Sequence, residues 1–115
     1  MQQNKINGLL GLAARSRNLV TGYNNCLQMI GRNKIKLLII TEDVGEKTKE
    51  KMVQKCTSHE IEWRLYGKAE ELSEAVGKQD KGLFAITDKG FAESIVKEID
   101  QIQSEREVTD ADESA

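Results

Sequence analysis

The sequence predicts an α/β protein in which helices cover both faces of a central four-stranded sheet, a three-layer α-β-α sandwich. Segments with helical spacing of apolar residues alternate with short strand-like segments along the 115 residues. Two strand-like segments, residues 37–40 and 83–86, are continuously apolar, which is typical of strands buried on both faces. We expect these two to be central, within the single core that a chain of this length can form.

The first elements surround a glycine. Apolar residues at helical spacing predict a helix over residues 4–15. Residues 19–21 can form a short strand, and Gly22 permits the turn that leads from this strand into a second helix. That helix is expected to start near Asn24 and to end at Gly31.

The rest of the chain continues the alternation after the strand at 37–40. Residues 46–58 have the pattern of a helix with lysines along its exposed side, and residues 61–66 alternate as a half-buried strand does. A short helix over residues 68–76 precedes the second apolar strand. Asp88 is a suitable cap for the last helix, whose apolar positions recur as far as Ile102.

The C-terminal segment differs in composition from the rest. Residues 104–115 read SEREVTDADESA, with five acidic residues, one arginine and no apolar periodicity. Such a segment cannot bury enough apolar surface to fold alone. The sequence therefore predicts one folded domain over residues 1–103 and an acidic disordered tail over residues 104–115.

Charge is distributed unevenly along the chain. Six basic residues and no acidic residue precede Glu42, although the formal net charge of the whole chain is −2. Without residues 104–115 the chain has 16 basic and 14 acidic residues, a net charge of +2. A basic region of this kind predicts a polyanionic partner such as RNA.

Several classes of protein are disfavoured. No apolar run approaches the length of about 20 residues that spans a membrane, and the N-terminus does not resemble a signal peptide, so we expect a cytoplasmic protein. Cys26 and Cys56 lack metal-ligand spacing and should be reduced, buried residues. His59 is expected to be an exposed residue at a helix end, and nucleotide-binding motifs are absent. The sequence therefore predicts a protein that is not an enzyme and has no cofactor or metal.

The start of the second helix is the candidate RNA site. Gly22 opens a helix whose free N–H groups suit a phosphate, and the amides of Asn24 and Asn25 can donate to and accept from a base edge. Alternatively, Asn24 caps the helix and the basic residues form a solvated face. In the RNA interpretation, five basic residues flank the site: Arg15, Arg17, Arg32, Lys34 and Lys36.

Three blocks of the chain resemble a known family; they read TGYNNCLQMIGRNKIKLLIITED, EELSEAVGK and FAIT. They are similar to the ribosomal protein family that binds kink-turn RNA, and most of all to its small bacterial YlxQ-type members. The likeness covers about residues 6–99. It implies an α-β-α sandwich with a mixed sheet, a binding protein without a cofactor, and RNA, in the ribosome or elsewhere, as the partner.

The resemblance also implies which residues contact RNA. The family signature is a glycine, an asparagine two residues later, then an acid and a downstream lysine. Gly22 and Asn24 match this signature, whereas Asn25 stands in place of the acid and Gln28 in place of the lysine. Both replacements keep the capacity to form hydrogen bonds.

A second family contact is the loop before the last strand, where an apolar pair packs against flipped-out bases. In this chain the loop reads KQDKG, residues 78–82, and has no apolar pair. The resemblance therefore implies phosphate contacts from Lys78 and Lys81 instead.

Three functions follow, in order of preference. The first is a non-enzymatic protein that binds structured RNA of the kink-turn type, associated with the ribosome. The second is a protein-interaction module of the same fold that docks an acidic partner. The third is a small-molecule enzyme, which would need a pocket that brings together Glu42, Asp43 and Asp88.

Overall fold

The computed structural model describes the backbone of residues 2–114 and the side chains of residues 5–105. Helices and strands alternate as the sequence predicts, with small differences at the boundaries. The elements are α1 (Gln2–Arg15), β1 (Leu19–Thr21), α2 (Tyr23–Gly31), β2 (Leu37–Ile40), α3 (Glu46–Ser58), β3 (Trp63–Leu65), α4 (Ala69–Ala75), β4 (Leu83–Ile86) and α5 (Lys89–Ser114).

The four strands form one mixed sheet in the order β1-β4-β2-β3. β4 is antiparallel to both of its neighbours, β1 and β2, and β2 is parallel to β3. The two continuously apolar strands are the central ones, and every residue of both is buried. The predicted position of these strands is therefore confirmed.

The sheet separates two layers of helices, because side chains alternate between the faces of a strand. Leu37 and Ile39 belong to a core cluster with residues of α1, α4 and α5. Leu38 and Ile40 belong to a second cluster with residues of α2 and α3. The three-layer α-β-α architecture is confirmed.

The ends of the strands define two regions that matter for function. At the first, here called the Gly22 end, Gly22 donates its N–H to Leu83 O at 3.2 Å and Thr41 donates its N–H to Gly82 O at 3.0 Å. At the second, here called the Lys36 end, Lys36 donates its N–H to Ile86 O at 2.7 Å. Strands of three or four residues separate the two ends by about 10 Å.

The last helix continues into the segment for which the sequence predicts disorder. Its backbone is helical to Ser114, and its core residue Ile102 is 8% exposed. Glu, Arg and Gln, which have high helix propensity, follow the last core turn and continue the helix. Side chains beyond Glu105 lie outside the described residues, and the disorder of residues 104–115 stays a prediction.

Candidate nucleic-acid interface

Gly22 forms the junction between β1 and α2. Its backbone has φ 93° and ψ 157°, a region that only glycine adopts readily. Its carbonyl accepts the N–H of Cys26 at 3.0 Å, so Gly22 is the N-cap of α2. A glycine provides no capping side chain, and the positive end of the helix dipole at α2 is therefore free to meet an anion.

Asn24 lies in the first turn of α2 and is exposed. The helix begins at Tyr23, so Asn24 is inside the helix and does not cap it. The Asn24 amide group forms no hydrogen bond with any residue that the structure describes, whereas the Asn25 amide group does. The interpretation of Asn24 as a helix cap is wrong, and its donors and acceptor face solvent.

Asn25 and Gln28 differ in their availability. The Nδ2 group of Asn25 donates to the carbonyl oxygen of Thr21 at 3.1 Å, which fastens the end of β1 to α2. Gln28 is exposed one turn after Asn24, and residues four apart share one face of a helix. Asn24 and Gln28 therefore form one exposed amide face, whereas Asn25 is partly committed to the local fold.

The loop over residues 78–82 reaches Gly22. A Cβ atom built on Gly22 would lie 3.8 Å from the Nζ atom of Lys81, so the Lys81 ammonium group is beside the glycine. Buried Ser73 holds the loop: it accepts the N–H of Lys81 at 2.9 Å and donates to the Lys81 carbonyl at 3.0 Å. The structure thus brings together Gly22 and Lys81, two residues that the sequence analysis selected separately.

A groove of about 480 Å³ lies at this junction and has an apolar part. Half-buried Tyr23 and Val44 contribute to its wall together with Gly22 and Lys81. A Cβ atom on Gly82 would lie 2.5 Å from Val44 Cγ2, so a glycine is needed for the loop to approach this side chain. The apolar surface that the 78–82 loop lacks is therefore supplied by two other segments.

Lys51 places a second positive charge beside the groove, whose wall also includes the acidic residue Asp80. Its Nζ atom lies 5.4 Å from the centroid of the Tyr23 ring, within the range of a cation–π interaction. The sequence analysis missed Tyr23, Val44 and Lys51 as site residues. The signals available were the position of Tyr23 next to Gly22 and the lysines along residues 46–58.

The basic residues after α2 lie at the opposite end of the sheet. Arg32 is the C-cap of α2, and Lys34 and Lys36 follow it towards β2. Arg32 follows Asn24 by eight positions, which is about 12 Å along the helix. Arg17, with φ 64°, lies in the turn before β1, also at the Lys36 end. These four residues form a separate basic surface and do not flank the start of α2 directly.

Arg15 and Lys78 have acidic surroundings. Arg15 lines a groove between α1 and α4 with Glu71 and Glu74, on the face of the sheet opposite to α2. Lys78 lines another groove that includes Asp43 and Glu74. The structure therefore does not group Arg15 with the Gly22 site, and it gives Lys78 less positive surroundings than Lys81.

The three acids that an enzyme pocket would require are apart and have structural partners. Asp43 accepts the N–H of Ala69 at 3.0 Å, and Asp88 accepts the N–H of Phe91 at 2.9 Å as the cap of α5. The Oε1 atom of Glu42 lies 3.6 Å from the Nζ atom of Lys68. Glu42 and Asp43 follow β2 at the Gly22 end, whereas Asp88 follows β4 at the Lys36 end. The catalytic pocket considered in the sequence analysis is therefore not formed.

The cysteines are buried and the single histidine is exposed, as predicted. Burial, with a contribution from Cys56, raises the pKa of the Cys26 thiol to about 12, and burial raises that of Cys56 to about 11. Both thiols are protonated at neutral pH. Across the described residues, no three His, Cys, Asp or Glu side chains are placed to hold a metal ion.

None of the helices, within the residues that the structure covers, is long and apolar enough to span a membrane.

Comparison with known sequences identifies relatives of this chain. RNA-binding protein YlxQ of Bacillus subtilis (strain 168) is 32% identical over 92 residues, which are 80% of this chain and 92% of that protein. RNA-binding protein YlxQ of Enterococcus faecium is 35% identical over 89 residues, 76% of this chain and 84% of that protein.

Solved structures share the fold. A protein of unknown function from Bacillus halodurans has a TM-score of 0.81 and 34% identity, covering 84% of this chain and 97% of that one. The 15.5kD RNA binding protein of Giardia lamblia has a TM-score of 0.71 at 15% identity, covering 90% and 88%. The model of the ribosomal protein L7Ae/L30e/S12e/Gadd45 family matches residues 4–96. Since this match spans most of the chain, the protein belongs to the ribosomal protein L7Ae/L30e/S12e/Gadd45 family.

Proposed function

We propose that this chain is a non-enzymatic RNA-binding protein of the cytoplasm that holds structured RNA at the Gly22 end. The observation that carries the proposal is the exposed Asn24 amide, which lies at a helix start without a capping side chain, near Lys81 and Lys51. Two relatives that cover most of this chain bear the name RNA-binding protein, which supports the same ligand.

The chemistry of the site suits a bent RNA with unstacked bases. The start of α2 and the Lys81 ammonium group attract a phosphate that passes close to Gly22. The amides of Asn24 and Gln28 can then pair with the edge of a base that has left the helical stack. Tyr23 and Val44 offer such a base an apolar surface. A kink-turn presents bases in this way, and we therefore propose it as the RNA.

The outer basic residues extend the interface. Arg32, Lys34 and Lys36 lie at the other end of α2, so they would contact phosphates one helix length from the bases held by Asn24. Arg17 belongs to the same surface, and Lys78 contacts the RNA only at the margin of the 78–82 loop. An RNA that fits both ends must span α2, which favours a folded RNA such as a ribosomal segment.

The test is equilibrium binding of a kink-turn RNA by the parent and by Asn24→Ala. We expect the variant to lose about 1–3 kcal/mol of binding free energy, the cost of one lost base contact. Gln101→Ala, which removes an exposed amide from α5 on the opposite face, is the control and should bind as the parent does. Equal binding by parent and Asn24→Ala would remove Asn24 from the site.

The second candidate is a module that docks an acidic protein. The basic surface at the Lys36 end favours it, because Arg17, Arg32, Lys34 and Lys36 stand apart from the amide face. Two RNAs of equal length, a folded kink-turn and one that cannot fold, should be compared as competitors for binding to the protein. Stronger competition by the folded RNA supports the first proposal, and equal competition supports a purely electrostatic docking surface.

A further inference from the structure

One flank of α3 carries a line of three lysines. Lys47, Lys51 and Lys55 are spaced by four residues, and all three are exposed. Each step of four residues advances about 6 Å along a helix and turns by only about 40°. The three ammonium groups therefore follow one side of α3 over about 12 Å.

This flank faces α2. The Nζ atom of Lys51 lies 5.4 Å from the centre of the Tyr23 ring on α2. Thr48, the residue after Lys47, lines the same groove as Gly22 and Tyr23. The line of lysines thus begins beside the groove of the proposed RNA site and runs away from it along α3.

The two acidic residues of α3 lie about 60–100° around the helix from Lys47 and not in line with the lysines. Glu46 and Glu50 each precede a lysine of the line, and one residue turns the helix by about 100°. The Oε2 atom of Glu46 lies 3.7 Å from the Nζ atom of Lys49, a lysine that is not part of the line. Within the described part of the chain, Lys47, Lys51 and Lys55 form no ion pair of the kind that joins Lys49 to Glu46. The line is therefore an unneutralised row of charges.

We propose that Lys47, Lys51 and Lys55 form a phosphate track, along which one strand of an RNA stem continues from the bases held at Asn24. This inference rests on the proposed RNA-binding function. Lysine contacts phosphate as a point charge, and a row of point charges suits a regularly charged backbone. The exposed neighbours on this flank are Gln54 and Ser58, both polar, whereas a protein partner would need an apolar centre in the interface.

The test compares two double variants that remove the same charge. Lys47→Gln/Lys55→Gln changes the track and keeps the contact of Lys51 with Tyr23. Lys89→Gln/Lys97→Gln changes two exposed lysines of α5 on the opposite face of the sheet. A kink-turn RNA with a stem on each side is titrated with each protein at several salt concentrations. We expect the track variant to bind about tenfold more weakly at moderate salt and to lower the salt slope by about one to two.

The control pair should change affinity by about twofold or less, because its lysines are remote from the RNA. Lys47→Arg/Lys55→Arg keeps both charges and should bind as the parent does, which excludes a folding defect at these positions. Equal weakening by the track and control pairs would overturn the track, since net charge alone would then explain the loss.

The outcomes also separate the two proposals. If the parent prefers the folded RNA and Asn24→Ala loses that preference, the RNA site stands. A track variant that then behaves like the control overturns only the track. If the parent does not distinguish folded from unfolded RNA, the proposed function fails and the track fails with it.

Discussion

Arg64 and Asp100 form an ion pair with two hydrogen bonds that joins β3 to α5. The Nε group of Arg64 donates to Oδ1 of Asp100 at 2.7 Å, and its Nη2 group donates to Oδ2 at 3.0 Å. Within the described residues, β3 is an edge strand whose one neighbour is β2. The hydrogen bond from Arg64 holds the pKa of Asp100 below its usual range, against the smaller opposing effect of burial.

The Arg64–Asp100 ion pair should make the free energy of unfolding depend on pH. We expect Asp100→Asn to lower the free energy of unfolding at neutral pH by about 0.2–1 kcal/mol, the range for exposed ion pairs. Because the folded-state pKa of Asp100 is lowered, the pair stabilises the fold above the unfolded pKa of about 3.9. Its contribution is lost as the pH falls through the lower, folded-state pKa.

Urea unfolding of the parent and of Asp100→Asn measures this contribution. The difference in unfolding free energy should be present at neutral pH and should shrink towards zero at about pH 2, below the usual pKa of the carboxyl group. Glu93→Gln, which removes the partner of Lys89 at 3.9 Å on the surface of α5, should show little difference at either pH. A difference for Asp100→Asn that persists unchanged in acid would rule out the ion pair as its source.

Gly22→Ala should destabilise the fold and weaken RNA binding. The backbone at φ 93° and ψ 157° is strained for any residue with a Cβ atom, so the substitution should cost about 1–3 kcal/mol of unfolding free energy. The added methyl group would also lie 3.8 Å from Lys81 Nζ, where the phosphate is proposed to approach.

Chemical unfolding and RNA titration of Gly22→Ala measure the two effects. Gly31→Ala, at the end of the same helix, is the control: its added Cβ atom would meet nothing within 4 Å, and stability should be equal or slightly higher. If Gly22→Ala unfolds at the same denaturant concentration as the parent, the glycine is not required by backbone strain.

Ser73→Ala should loosen the loop that presents Lys81. The Ser73 side chain both accepts from and donates to the Lys81 backbone, and the residue is 2% exposed. Its loss removes two hydrogen bonds to partly buried backbone groups, at a cost of about 0.5–1.5 kcal/mol each. Hydrogen exchange should increase at residues 78–82, and RNA affinity should fall. Ser94→Ala, at an exposed position of α5, should change neither quantity. Unchanged exchange in the loop of Ser73→Ala would contradict its anchoring role.

The order of elements could be predicted because it depends on local patterns. The continuous apolar strands at residues 37–40 and 83–86 and the helical spacing between them are readable without tertiary information. Gly22 and Asn24 could be selected for a similar reason, since a strand-to-helix glycine and its polar neighbours are adjacent in the chain. Whether Asn24 caps α2 depends on the first residue of the helix, and only the structure identifies that residue.

The composition of the site could not be predicted, because it depends on how distant strands pair. Lys81 reaches Gly22 only because β1 and β4 run antiparallel, with Thr21 opposite Phe84. Val44 joins the groove from the turn after β2. The same topology sends Lys36 to the opposite end of the sheet, although only fourteen positions separate it from Gly22. Proximity in sequence therefore wrongly placed Lys36 beside the Gly22 site, and it gave no indication that Lys81 lies there.

The strand order also sets when the site can exist during protein synthesis. In the part of the chain that the structure describes, β1 pairs only with β4, and β4 is the last of the four strands. A nascent chain that ends before residue 83 has Gly22 and Asn24 but no neighbouring strand to hold them, and it lacks Lys81 if it ends before residue 81. The proposed RNA site can therefore be completed only after β4 has been synthesised and has paired with β1.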